Sequence, residues 1–263
     1  MPVTFASIVA ILAVIPALIQ SRRASAGGGL FWPLLLVAGA GVALPAFRLL
    51  VGNEFAGLGG ALTMSNAATL LLFILCALIW PAARGLSALI LLYCLCLAVL
   101  AAFSFRPHPE MAVTGNPVWL DAHILVSILT YGLATIAAIA ALAIFQQERA
   151  LKRREPSPLS ANLPAIADAE RLQNRLLWLS AIVLAAGLLT GVGTLYSETG
   201  QLFTFTHKTI FAVAAFAVIV ALLIVHNLTG LRGRRAARVV LVIYLLLTLA
   251  YPGVKFVQDI LIG

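Results

Sequence analysis

Charge is scarce in this chain. Asp, Glu, Lys and Arg make up 10% of its 263 residues while 62% are hydrophobic, and the mean hydropathy is +1.07. No soluble core needs that much apolar surface, so a water-soluble globular domain is excluded. Cysteine is rare too, and Cys76, Cys94 and Cys96 all fall inside apolar runs. The i, i+2 spacing of the last two sends them to different faces of a helix, which leaves neither a redox pair nor a chelate. All three read as small buried hydrophobes. A phosphate loop, an HExxH pair, a nucleophile elbow and paired acidic residues are also missing, so the chain reads as a non-enzyme. None of the nine acidic residues falls in the middle of an apolar run, which argues against a proton or cation pump.

Apolar sequence, by contrast, comes in long blocks. Eight runs can be traced, roughly 3–20, 30–50, 63–82, 86–104, 120–145, 176–197, 207–228 and 236–256. About 20 residues at a ~1.5 Å rise cross a ~30 Å hydrocarbon core. The runs are continuous rather than alternating, so they predict helices and not a barrel. The expected fold is an all-α integral membrane protein, a bundle of about eight transmembrane helices forming one domain over 1–263. No Lys or Arg precedes the first run, and Arg22 and Arg23 follow it. That is the reverse of a signal peptide, so the run is expected to be a helix with its N-terminus outside.

Basic residues are held back on the cytoplasmic side of a membrane. With the N-terminus outside, 13 of the 17 Lys and Arg fall in inner loops, leaving Arg48, Arg106, Lys208 and Lys255. An even number of helices then puts both termini on the outer, periplasmic side. The net charge of +8 is this topology signal, helped by anionic lipid at the inner leaflet, and does not imply nucleic acid. The longest inner connection, 146–175, predicts a fifth helix running past the membrane until Pro156 and Pro158 stop it. Asp168, Glu170, Arg171 and Arg175 then lie on a polar stretch that reads as a solvated linker or as a dock for a partner.

Four histidines remain. His108 sits between two prolines in an outer loop and is expected to be exposed; His226 lies 19 residues after His207, nearly a bilayer thickness away at ~1.5 Å per residue. His123 and His207 each begin a long apolar run on the same predicted face, and neutral imidazole is a good ligand for iron or zinc. Joint ligation requires the fifth and seventh helices to be neighbours. Ser127 and Tyr131 follow His123 at i+4 and i+8 and mark an inward stripe, and Asp121 is close enough in sequence to be an outer partner of the imidazole. Interhelical hydrogen bonds without any ligand explain the same stripe, so both readings stand on the residues alone. In the sixth run, Gly187, Gly191 and Gly193 form a small-residue surface suited to packing within the bundle, and Gly193 is placed to loosen the helix before the outer loop.

The stretch from Asp121 through His123 and Tyr131 resembles the histidine-led helix of the cytochrome c assembly protein family, integral membrane haem-handling proteins that include CcsA-, CcmC- and HemX-like members. The Gly187–Gly193 segment, Thr206-His207-Lys208-Thr209, Gly230-Leu-Arg232-Gly-Arg234-Arg235 and the closing Tyr251-Pro-Gly253-Val-Lys255 are similar to that family in the same order. The resemblance is strongest over 60–263, with the length and layout of the small HemX-like branch. It implies a bacterial inner-membrane protein of cytochrome c-type biogenesis, with His123 and His207 as axial ligands of a haem iron near the periplasmic face. It also implies partners among membrane proteins or cytochrome assembly components. One departure stands out: haem-presenting members carry a tryptophan-rich loop, whereas Tyr196–Thr206 has no tryptophan. The alternative is therefore a non-catalytic membrane scaffold or regulatory subunit that has lost haem presentation.

Overall fold

In a computed structural model, the described residues are 3–23, 28–52, 57–104, 117–153, 162–204, 206–257 and 259. Among them the chain is helical and has no strand. The helices are α1 (Val3–Arg23), α2 (Phe31–Val51), α3 (Leu58–Ile79), α4 (Ser87–Ser104), α5 (Pro117–Arg153), α6 (Ile166–Thr199), α7 (His207–Thr229) and α8 (Gly233–Thr248). A 3₁₀ turn, Pro81–Leu86, leads into α4, and a π-helical turn, Leu249–Gly253, carries α8 on to Phe256. Among the described residues, seven helical stretches are long and apolar enough to cross a membrane. The apolar part of α1, Ser7–Arg22, is shorter, yet it packs against both α2 and α4. Gly200 and Gly230 end α6 and α7 in the left-handed conformation, φ 70° and 66°, where a side chain is disfavoured.

Packing sorts the helices into two rings. In the first, α1 touches α2, α2 touches α3, α3 touches α4 and α4 returns to α1. The second repeats the scheme, with α5 on α6, α6 on α7, α7 on α8 and α8 on α5. They join where α3 packs on α5, and one apolar core runs through both. The seam is also polar: Thr248 donates its hydroxyl to the Tyr244 carbonyl at 2.8 Å. Its oxygen is then left to accept from Tyr131 at 3.4 Å, Tyr131 from Tyr244 at 3.1 Å, and Tyr244 from Tyr93 at 3.0 Å. These hydroxyls join α4, α5 and α8. In lipid such bonds hold helices together because the alternative is an unpaired polar group in hydrocarbon.

One end of the bundle is rich in arginine. Arg84 lies over the Trp32 ring, Arg175 over Trp80 and Arg234 over Phe145, with centroid distances of 5.2, 5.7 and 5.3 Å. Arg234 also pairs with Glu148 at 3.4 Å, and Glu170 accepts from the Gly233 amide at 2.6 Å. The described part of the 146–175 connection is thus not a solvated linker. Gln147 donates to the Leu163 and Pro164 carbonyls, Leu163 is buried, and α6 begins at Ile166, so the polar stretch is the first turns of a long helix. α5 does run to Arg153, as the charged extension predicts, while Pro156 and Pro158 lie outside the described residues. Cys76 and Cys94 are buried, but Cys96 is exposed on the opposite face of α4 and corrects the expectation that all three are buried.

Candidate functional site

At the end opposite the arginines, α5 and α6 run antiparallel and very close. Trp119, His123 and Val126 recur at i, i+4 and i+7 and share one face of α5. They face Gly193, Gly191 and Gly187 of α6 in that order. A Cβ added at Gly193 would lie 2.7 Å from Trp119 Cε3, one at Gly191 3.0 Å from His123 Cε1, and one at Gly187 3.4 Å from Val126 Cγ1. The three glycines therefore form a groove in which the Trp119 and His123 rings lie. Gly193 serves this close approach and does not loosen the helix, since α6 continues to Thr199.

Inside the groove, His123 is half-buried. Its Nδ1 is 3.1 Å from the Gly187 carbonyl oxygen and 3.4 Å from Thr190 Oγ1. The Thr190 hydroxyl donates back to Ala186 O at 3.0 Å and Gly187 O at 3.1 Å. Nε2 makes no hydrogen bond to a described residue. Asp121 is exposed and is not the partner of the imidazole; a backbone carbonyl and a threonine occupy that role. The His123–Ser127–Tyr131 stripe does face inward, but it divides, with His123 meeting α6 and Tyr131 reaching Tyr244 of α8.

His207 is the first residue of α7, behind an N-cap formed by Thr206, whose hydroxyl accepts from the Thr209 amide at 3.3 Å. It is exposed, and its ring makes no hydrogen bond to a described residue. The connection from Thr199 to His207 is short, so both imidazoles lie at the same end of the second ring. They do not meet across neighbouring helices: α6 and α8 separate α5 from α7, which stand diagonally in that ring. Lys255, from the turn after α8, lies within electrostatic range of Lys208 and Asp259. Asp259 accepts from the Leu58 amide at 2.6 Å and ties this end to α3. His226 is at the arginine end, bonded through Nδ1 to Leu231 O at 2.8 Å. His108 lies outside the described residues. Among the described residues no group of three or more His, Cys, Asp or Glu is placed to hold a metal ion.

Thr190 and the Gly187 carbonyl do not stand out in the sequence. A backbone acceptor leaves no mark there, and a threonine among glycines reads as packing. The available signal was spacing, because Thr190 follows Gly187 by one helical turn on the glycine face.

A multi-pass α-helical membrane bundle with two histidines at one end is the class these features define. The sequence model of the family described as cytochrome C assembly protein matches residues 42–262, and the chain belongs to that family. It is 46% identical to an uncharacterized 28.8 kDa protein from the nifR3-like 5′ region of Azospirillum brasilense, over 98% of this chain and 97% of that protein. It is 24% identical to the inner membrane protein YpjD of Escherichia coli K12, over 96% of this chain and 95% of YpjD. No solved structure matches significantly. The spans and these relatives place the chain in the inner membrane as a multi-pass protein of cytochrome c-type biogenesis.

Proposed function

We propose that this protein binds haem, as cargo or as a resident group, and that His123 and His207 at the periplasmic face would hold it from the diagonal helices α5 and α7 rather than from the neighbouring pair expected from the sequence. The carrying observation is the pair of imidazoles at one end of the second ring, each with Nε2 unbonded to any described residue. The donor set fits a macrocycle better than a bare ion. Two imidazoles fall short of the four ligands of a zinc site, whereas porphyrin brings four nitrogens and needs only axial ligands from the protein. When bound, haem supplies a redox-active iron. The chain's own part is to bind the group, to orient one ligand in the α5–α6 groove, and to present the other from the start of α7.

The whole chain, 1–263, acts in this reading as one membrane domain with both termini periplasmic. The 13 basic residues of the inner loops support that orientation, as do the arginines stacked on Trp32, Trp80 and Phe145 at the opposite end. Reporter fusions within 146–175 and within Arg232–Arg238 are expected to read cytoplasmic. A periplasmic signal from either would put both histidines on the wrong side. The haem reading is tested by purification in detergent and a search for a Soret band. A haem-free protein that still captures a membrane partner would favour the scaffold alternative, which the tryptophan-free stretch 196–206 supports.

A further inference from the structure

We infer that α6 fixes the tautomer of His123: Nδ1 carries the proton, held by the Gly187 carbonyl and Thr190, and Nε2 keeps a lone pair for a metal-centred ligand. The inference deepens the haem reading and rests on it only for the identity of that ligand. The argument begins with Thr190. Its hydroxyl has a single proton, which goes to the carbonyls of Ala186 and Gly187 at 3.0 and 3.1 Å, the usual back-bonding of threonine in a helix. Thr190 Oγ1 therefore faces the imidazole only as an acceptor. The other neighbour of Nδ1, the Gly187 carbonyl at 3.1 Å, can only accept. A lone pair on Nδ1 would face two oxygen lone pairs, at 3.1 and 3.4 Å. A proton there satisfies both contacts, and one neutral tautomer results.

Gly191 keeps the ring in register. A Cβ at this position would come 3.0 Å from Cε1 and 3.3 Å from Nδ1, so any side chain shifts the imidazole away from Gly187 O. Gly191 and Thr190 are thus positioning residues, one giving the ring room and the other removing the alternative donor. This is the outer support that metal-binding histidines commonly have, and its loss costs about 10–100-fold in metal affinity.

The test uses the full-length protein in detergent with ¹⁵N-labelled histidine. His123 resonances are assigned by their loss in His123→Ala, and ring ¹H–¹⁵N correlations report the tautomer in the apoprotein. The expected result is protonation at Nδ1 and a bare Nε2. Thr190→Val and Gly191→Ala are each expected to weaken haemin binding about tenfold and to shift the midpoint potential, while Thr190→Ser stays near wild type in both. A proton on Nε2 in the wild-type apoprotein overturns the inference without depending on any variant. So do Thr190→Val and Gly191→Ala proteins that keep the wild-type affinity and potential. An Nδ1 proton in a protein that never acquires a Soret band upholds the tautomer and sinks the haem reading instead. An Nε2 proton in a haem-loaded protein does the reverse.

Discussion

In the α1–α4 ring, Thr63, Ser65, Asn66 and Thr69 are buried on one helix. They sit near a cavity of about 10 Å³ lined by Ser7, Thr63 and Asn66 among others. That volume holds about one water molecule and no larger group. In the α5–α8 ring, the described histidines are spread along the edges and ends: His123 in a groove, His207 exposed, His226 at the opposite face. The rings share one packing scheme, yet the first has its polar groups sealed inside and the second offers imidazoles at its margins. Repetition of a helical scaffold does not repeat its chemistry. In the proposed reading the second ring carries the haem-binding side chains, and the first contributes packing alone.

The histidines test that division most sharply. His123→Ala and His207→Ala are each expected to remove bound haem altogether, while His226→Ala, 19 residues from His207, keeps the full Soret absorbance. Haem retained in both single variants would end the contrast. A first-ring change should do the opposite. Gly41→Ala drives a methyl into Ala13 of α1, and overpacking of this kind costs about 1–3 kcal/mol. A lower Tm, read by a thiol dye as buried Cys94 is released, with an unchanged haem-to-protein ratio, would sharpen the comparison. Loss of haem at an unchanged Tm would break it.

Tyr244→Phe acts on the seam between the rings. It removes the hydroxyl that joins Tyr93 to Tyr131 and is expected to cost about 1 kcal/mol. The double variant Tyr93→Phe/Tyr244→Phe should cost less than the sum of the singles, because Tyr93 then has no orphaned hydroxyl; strict additivity would show that the two hydroxyls are uncoupled. The smallest effect belongs to Asp259→Asn. The amide still accepts from Leu58 N, and what is lost is the negative charge at the start of α3 and near Lys255, the helix-end part worth about 0.5 kcal/mol. A Tm drop comparable to that of Gly41→Ala would mean that the charge of Asp259 carries far more of the fold than a helix-end interaction.

The bundle was legible in the sequence because lipid leaves the backbone few options. Long apolar runs must become helices, and arginines such as Arg84, Arg175 and Arg234 gather at one end. Ring order was not legible, since nothing in one helix's hydropathy tells which neighbour it meets. That is why α5 and α7 emerge as diagonal partners rather than neighbours. Residue type singles out His123, but among its outer partners the sequence offers only a candidate such as Asp121, because side-chain chemistry is visible there and a carbonyl is not. Cys96 reads as buried in the sequence because an apolar run in a membrane protein gives little contrast between lipid-facing and core-facing positions.

The hydrogen bond between Asp259 and Leu58 spans 201 residues, and that between Tyr244 and Tyr93 spans 151. At about 5–20 residues per second of synthesis, Leu58 is made roughly 10–40 s before Asp259, and Tyr93 roughly 8–30 s before Tyr244. During that interval the Tyr93 hydroxyl faces the bilayer or a transient companion, and the first turn of α3 lacks its carboxylate. The first ring is thus made early and finished late.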